Sequence, residues 1–140
     1  DITVVNNIRA GTYFRTSHFH AMTMLDNLVS NAILYNKDNG MITLSCEKEG
    51  KLQVISVEDT GIGLTKDQTE RVFDDFYKAD ISRHDHNVHG LGLSIVRRII
   101  SLYGGTVTAK SPGLGLGSNF QIYLAGEDVR SDATLSEYGG

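Results

Sequence analysis

The sequence predicts an α/β two-layer sandwich: a mixed, mostly antiparallel sheet with about three helices on one face. Three observations carry this. Two long segments repeat apolar residues at helical spacing. Two pairs of short apolar runs are joined by turn residues. The elements follow one another as strand, strand, helix, strand, strand, helix, loop, helix, strand, strand, in 140 residues, enough for one domain with a core.

Each element has its own signal. Ile2 to Ile8 alternates weakly and predicts an edge strand. Gly11 turns the chain, and Thr12 to Arg15 predicts a second short strand. Thr16 and Ser17 suit a helix N-cap, and the pattern is helical from His18. Phe19, Met22, Val29 and Ile33 form a stripe, widened by Leu25, Leu28 and Ala32. The helix stops near Tyr35, at the turn residues Asn36-Lys37-Asp38-Asn39-Gly40. Strands over Met41–Cys46 and Leu52–Asp59 join at Glu49-Gly50. Gly61 and Gly63 break the second strand, and Thr65 caps a short helix running to about Phe73. Residues 78 to 89 are polar and aperiodic and read as a mobile loop. Gly90 to Tyr103 predicts the last helix, with Leu91, Ile95, Ile99 and Leu102 on one face and Gly104-Gly105 ending it. Thr106–Ser111 and Asn119–Leu124 predict a hairpin across Pro112 to Gly117. The domain therefore spans 1–124, and the polar, glycine-ended stretch 125–140 reads as a disordered tail.

Composition excludes several classes. The net charge is −4 with no long basic run, which argues against nucleic acid as a partner. No apolar stretch approaches membrane-spanning length, and no signal peptide is present. A chain opening on Asp1 rather than Met reads as a piece of a longer polypeptide. The single cysteine, Cys46, forbids an internal disulfide and fits a reducing compartment; its strand setting predicts a structural thiol.

Two glycine segments lie about 30 residues apart: Asp59-Thr60-Gly61-Ile62-Gly63-Leu64 after a strand, and His89-Gly90-Leu91-Gly92-Leu93-Ser94 at a helix start. Glycine lets backbone approach a ligand, and a helix N-terminus offers N–H groups to anions, so the pair suggests a nucleotide site. In the first long helix, Asn27 and Asn31 stand one turn apart on one face. Their carbonyl oxygens suit a hard cation such as Mg²⁺, and a partly exposed polar rim explains them equally well.

Taken together, these segments resemble the motifs of sensor histidine kinases. Asn27-Leu-Val-Ser-Asn31-Ala-Ile-Leu-Tyr35 resembles the N box, Asp59-Thr-Gly61-Ile-Gly63 the first glycine box, and Phe73-Asp-Asp-Phe76-Tyr77 the F box. Gly90-Leu-Gly92-Leu-Ser-Ile resembles the second glycine box, and Gly115-Leu-Gly117-Ser118-Asn-Phe120 the terminal glycine motif. The resemblance covers roughly Asp1 to Leu124. It implies the Bergerat-type ATP-binding fold shared with gyrase, the ninety-kilodalton heat-shock chaperones and MutL, with a flexible lid over ATP. It also implies a cytoplasmic catalytic domain whose parent can be an inner-membrane sensor. The γ-phosphate would pass to a histidine on a dimerisation helix outside this chain, and then to a response regulator.

By the same resemblance Asn31 would be the Mg²⁺ ligand and Asn27 a polar neighbour of the phosphates. Asp59 would accept the adenine amino group, Gly61 and Gly63 would let backbone pass close to the base, and Tyr35 would flank it. Gly90 and Gly92, with Leu91, Leu93 and the preceding His89, would present the phosphate end, and Lys78 would reach the γ-phosphate as a point charge. His84, His86 and His89 read as lid donors to phosphate rather than a metal site, and His18 and His20 as structural or exposed. Three positions depart from the family: Leu34 replaces a lysine or arginine, Val88 replaces a glycine, and the proline that commonly follows the N-box tyrosine is missing. These departures motivate one alternative, a degenerate ATP-binding or interaction module. A second alternative, an ATP-driven switch of the gyrase type, needs a general base where Asn27 stands.

Overall fold

The computed structural model describes residues 1–75, 77, 92–126 and 133–134. A five-stranded sheet runs in the order β1 (Thr3–Asn6), β3 (Met41–Glu49), β4 (Leu52–Asp59), β6 (Ser118–Ala125), β5 (Thr106–Lys110). β1 pairs in parallel with β3, and every other pairing in this sheet is antiparallel. Three helices, α1 (His18–Leu34), α2 (Lys66–Arg71) and α3 (Leu93–Leu102), complete the mixed α/β architecture expected from the sequence. A separate two-residue ladder joins β2 (Tyr13–Phe14) to β7 (Ala133–Thr134), which lies within the stretch read as a tail.

Local chemistry accounts for the boundaries. The Ser17 side chain accepts the His20 N–H at 3.1 Å and opens α1. Thr65 and Gln68 form a reciprocal capping box at α2. β3 extends three residues past the expected Cys46, because its ladder with β4 continues to the Glu49–Leu52 pair around the Gly50 turn. α3 begins at Leu93 rather than Gly90: Gly92 has φ +67°, a left-handed conformation that a right-handed helix cannot contain.

Both long helices are turned part-way from the expected face: Leu25, Leu28, Ala32 and Ile99 are buried as expected, and other named residues are not. α1 buries Ala21, Met24, Leu25, Leu28 and Ala32, while Phe19 is 73% exposed and Ile33 is also exposed. Apolar residues run nearly all the way round α1, so periodicity leaves its orientation open, and the contacts with β3, β4 and α3 decide it. α3 buries Leu93, Val96, Ile99 and Ile100; Ile95 and Leu102 are exposed, and Leu91 lies outside the described residues. The buried set follows i, i+3, i+6, i+7 from Leu93, the first residue after the glycine cap. These side chains close on Ile42, Leu44, Ile55, Val57, Phe120, Ile122 and Leu124 of the sheet.

The buried stripe of α1 makes a direct prediction. Leu28→Ala leaves a cavity at a fully buried position and should cost about 2–5 kcal/mol in urea unfolding. Phe19→Ala should stay within about 0.5 kcal/mol of the parent. Equal losses for the two would mean that Phe19 is buried along with Leu28.

Candidate functional site

The site begins at the end of β4. Register pairs Asp59 with Ile42 of β3 on one side and Ser118 of β6 on the other, so its side chain projects on the helix-covered face. Its Oδ1 accepts the Gly61 N–H at 2.8 Å, and the Ser118 backbone N–H also donates to the carboxylate. Burial pushes the carboxyl above the usual aspartate range, the two N–H bonds pull it back in part, and the neighbouring Glu58 charge adds to the rise. Asp59 is thus a buried acceptor held at one edge by the main chain.

The glycines after it serve the protein's own packing. A Cβ at Gly61 would overlap the Tyr35 carbonyl oxygen, which accepts the Ile62 N–H at 3.0 Å. Gly63, at φ +72°, presses in the same way on the Gly113 carbonyl. The expected close approach of backbone is therefore to Tyr35 and to the β5–β6 turn; Gly63 still lines the pocket, whereas Gly61 supports Asp59 from behind. Tyr35 is the C-cap of α1 and joins the helix end to this loop.

Asn27 and Asn31 approach from α1. Each amide nitrogen donates to the carbonyl one turn earlier, Asn27 to Thr23 at 2.8 Å and Asn31 to Asn27 at 2.7 Å. The amide nitrogens are thus engaged along the helix, and the oxygen is the atom of each side chain that suits a hard cation. Asn31 is 92% buried, being 8% exposed, and Asn27 Oδ1 lies against Gly92, where any Cβ would overlap it. Gly92 brings no capping side chain to the first turn of α3, which leaves that turn suited to an anion.

Some of these parts share one pocket, whose lining does not include Asn27, Gly61 or Gly92. Asn31, Tyr35, Asp59, Gly63 and Leu93 line it, all named from the sequence, and its cavity volume is about 30 Å³. Four lining residues were not anticipated as site residues: Ile62, Leu64, Ser118 and Phe120. Ser118 and Phe120 had a readable signal, since alternation along β6 puts both on the face that bears Asp59. Lys78, His89, Gly90 and Leu91 lie outside the described residues, as do Phe76 of the F box, Val88, His84 and His86. A larger, more open hollow of about 250 Å³ lies beyond Asp59, between Glu58, Lys110, Pro112 and Asn119. It lacks Asn31 and the start of α3, and its charged side chains are Glu58, Asp59 and Lys110.

Other reactive side chains are structural. Burial pushes the Cys46 thiol up to about 11, with the Glu47 charge adding, and its Sγ lies 3.3 Å from Gln53 Oε1, as expected of a structural thiol. His20 Nδ1 bonds the Tyr103 hydroxyl, which ties the start of α1 to the end of α3. Among the described residues, no three His, Cys, Asp or Glu side chains gather as a metal cluster. No helix among them is long and apolar enough to cross a membrane.

A one-sided sandwich with its pocket between the helix layer and one end of the sheet places the chain in the class of small α/β nucleotide-binding domains. It belongs to the family described as histidine kinase-, DNA gyrase B- and HSP90-like ATPase, whose pattern matches residues 17–128. Membership carries ATP as the family's nucleotide. The chain is 43% identical over 103 residues to the sensor histidine kinase YclK of Bacillus subtilis, covering 72% of this chain and 21% of that protein. It thus spans about a fifth of that relative's length. In fold it matches the catalytic domain of histidine kinase ThkA, with TM-score 0.74, 24% identity, and coverage of 89% of this chain and 79% of that one. It also matches full-length ShkA, solved in complex with AMPPNP, at TM-score 0.77 and 24% identity, covering 94% of this chain and 27% of that one.

The environment of Asp59 has a pH consequence. A carboxyl raised in the folded state binds its proton more tightly there than in the unfolded chain, whose value is near 3.8. Its contribution to stability is then largest at low pH and declines as pH rises from that value through the raised one. Measured against Asp59→Asn by urea unfolding, the wild type should lose stability across this window and run parallel to the variant above it. A wild type that gains on the variant over the same window would contradict a raised Asp59.

Proposed function

We propose that the chain is the ATP-binding catalytic domain of a two-component sensor histidine kinase, with residues 1–124 as the catalytic unit and 125–140 as its tail. The observation that carries this is the shared pocket: a buried carboxylate at a strand end, an asparagine carbonyl and the start of α3 face one cleft. AMPPNP in the complex of the fold relative ShkA supports ATP as the occupant. Asp59 accepts the adenine amino group, with Tyr35 flanking the base and Gly61 and Gly63 shaping the loop around it. Asn31 holds Mg²⁺ through its carbonyl oxygen, and Asn27 stands beside the phosphates against Gly92. Gly90, Leu91, Gly92 and Leu93 present backbone N–H groups to the phosphates, with His89 and Lys78 as cationic or hydrogen-bonding supplements.

Bound Mg²⁺ supplies charge neutralisation between the phosphates. The residues of the chain bind, orient and desolvate, which is what phosphoryl transfer asks of a protein. The acceptor is a histidine on the dimerisation domain of the parent protein, and a response regulator takes the phosphoryl group next. A neutral imidazole is already a nucleophile, so no carboxylate base is required here. Asn27 cannot deprotonate water, which weighs against the hydrolytic switch of the gyrase type.

The test is transfer of label from γ-³²P-ATP to the parent's dimerisation domain, alongside calorimetric titration with ATP and Mg²⁺. Asn31→Ala should reduce labelling at least tenfold, as expected for loss of a direct metal ligand, and remove the Mg²⁺ dependence of ATP binding. Equal labelling by the variant would contradict the role given to Asn31. Absence of saturable binding by the wild type at millimolar ATP would favour the degenerate module that Leu34 and Val88 suggest.

A further inference from the structure

Ser111 lies outside every motif named from the sequence, at the point where β5 runs into the β5–β6 turn. Its hydroxyl is saturated: Oγ–H has the Gly117 carbonyl at 2.7 Å as its nearer acceptor and the Gly113 carbonyl at 3.2 Å, and Oγ accepts the N–H of Leu64 at 3.0 Å and of Gly113 at 3.2 Å. One donor and two acceptor positions are all that a serine hydroxyl has. The contacts reach two separate segments, the loop that follows Asp59 and the turn that precedes β6.

The geometry at Gly117 links this hydroxyl to the carboxylate. The carbonyl that Ser111 holds and the Ser118 N–H that donates to Asp59 are two ends of one peptide unit. A donor on the carbonyl end polarises the N–H end, so the two bonds strengthen each other. Gly117 N–H also donates to the Gly61 carbonyl at 3.0 Å, and Gly115 N–H to Ile62 at 2.7 Å. Gly117 itself sits at φ +81°, where a Cβ would overlap the Asp59 carbonyl oxygen. Both N–H groups that hold the Asp59 carboxylate, from Gly61 and from Ser118, thus come from segments that the Ser111 hydroxyl ties together.

We infer that Ser111 is the positioning residue that aims the Asp59 carboxylate and so sets the preference for an adenine amino group over the carbonyl that guanine carries at the same ring position. The inference rests on the reading of Asp59 as the adenine acceptor. Ser111 touches no nucleotide in this scheme. It acts by fixing the direction of an acceptor, and a site built around one hydrogen bond discriminates only when that bond is well aimed.

The experiment is calorimetric titration of the 140-residue chain with ATP and with GTP, each with Mg²⁺. Ser111→Ala should weaken ATP about tenfold, the scale of one well-made hydrogen bond, and leave GTP within about twofold. Ser111→Thr, which keeps the hydroxyl, should restore the preference. In an Asp59→Asn background, Ser111→Ala should add less than about twofold, because the acceptor that it aims is already altered. Should the alanine variant fail to fold, Ser111→Cys takes its place, with a weaker donor and a smaller loss of the same sign. If Asp59→Asn lowers ATP affinity selectively while Ser111→Ala (or Ser111→Cys) lowers ATP and GTP alike, or neither, the inference about Ser111 is overturned and the adenine reading stands. If Asp59→Asn leaves ATP affinity unchanged, the adenine reading falls and the role of Ser111 with it.

Discussion

The pairing of β4 with β6 is the constraint on which the site depends. Its register ends with Asp59 opposite Ser118, just where both strands leave the sheet. At that point each strand passes into a glycine turn, and the two turns are bonded through Gly117 to Gly61 and Gly115 to Ile62. A shift of one residue would carry Asp59 to the uncovered face of the sheet, because side chains alternate along a strand. Burial of Phe120, Ile122 and Leu124 on β6 against Ile55 and Val57 on β4 forbids that shift. The hydrophobic core thereby fixes the position of a polar recognition group, and two backbone N–H bonds offset part of the cost of burying its charge.

α1 completes the arrangement from the opposite side. The stripe that fastens it to the sheet, Ala21 to Ala32, is contiguous with Asn31, so core packing and the polar pocket share one helix face. Its C-cap, Tyr35, receives the Ile62 N–H, which locks the helix end to the loop after Asp59. At its N-terminus the Ser17 and His20 contacts with Tyr103 hold the far end of α3. The helix that offers its first turn at Gly92 is therefore fastened to α1 at its far end.

Much of this was legible in the residues. Cap and turn chemistry located the ends of α1, β4 and α2 to within a residue or two, because Ser17, Asn36 to Gly40 and Thr65 act through local hydrogen bonds. The identities of Asn31, Tyr35, Asp59, Gly63 and Leu93 as neighbours came from the resemblance to a family, and the fold brings those five into one pocket. The facing of both long helices was not fully legible: α1 has apolar residues on nearly every side, and only tertiary contacts select among them. Nor was the packing work of Gly61 and Gly63, whose missing side chains make room for Tyr35 and Gly113. Ser111 was invisible for the same reason. Its partners are main-chain atoms of Leu64 and Gly117, distant in sequence and silent in composition.

The account stands on one claim, that Mg²⁺·ATP sits between Asp59 and Asn31 rather than in the larger hollow on the far side of Asp59. Backbone amide shifts followed by NMR during titration with Mg²⁺·ATP test it most directly. The account predicts the largest perturbations at Asn31, Gly61, Gly63, Leu93 and Ser118, and little change at Lys110 and Asn119. Perturbations centred on Glu58, Lys110 and Asn119, with Asn31 and Leu93 unmoved, would contradict it.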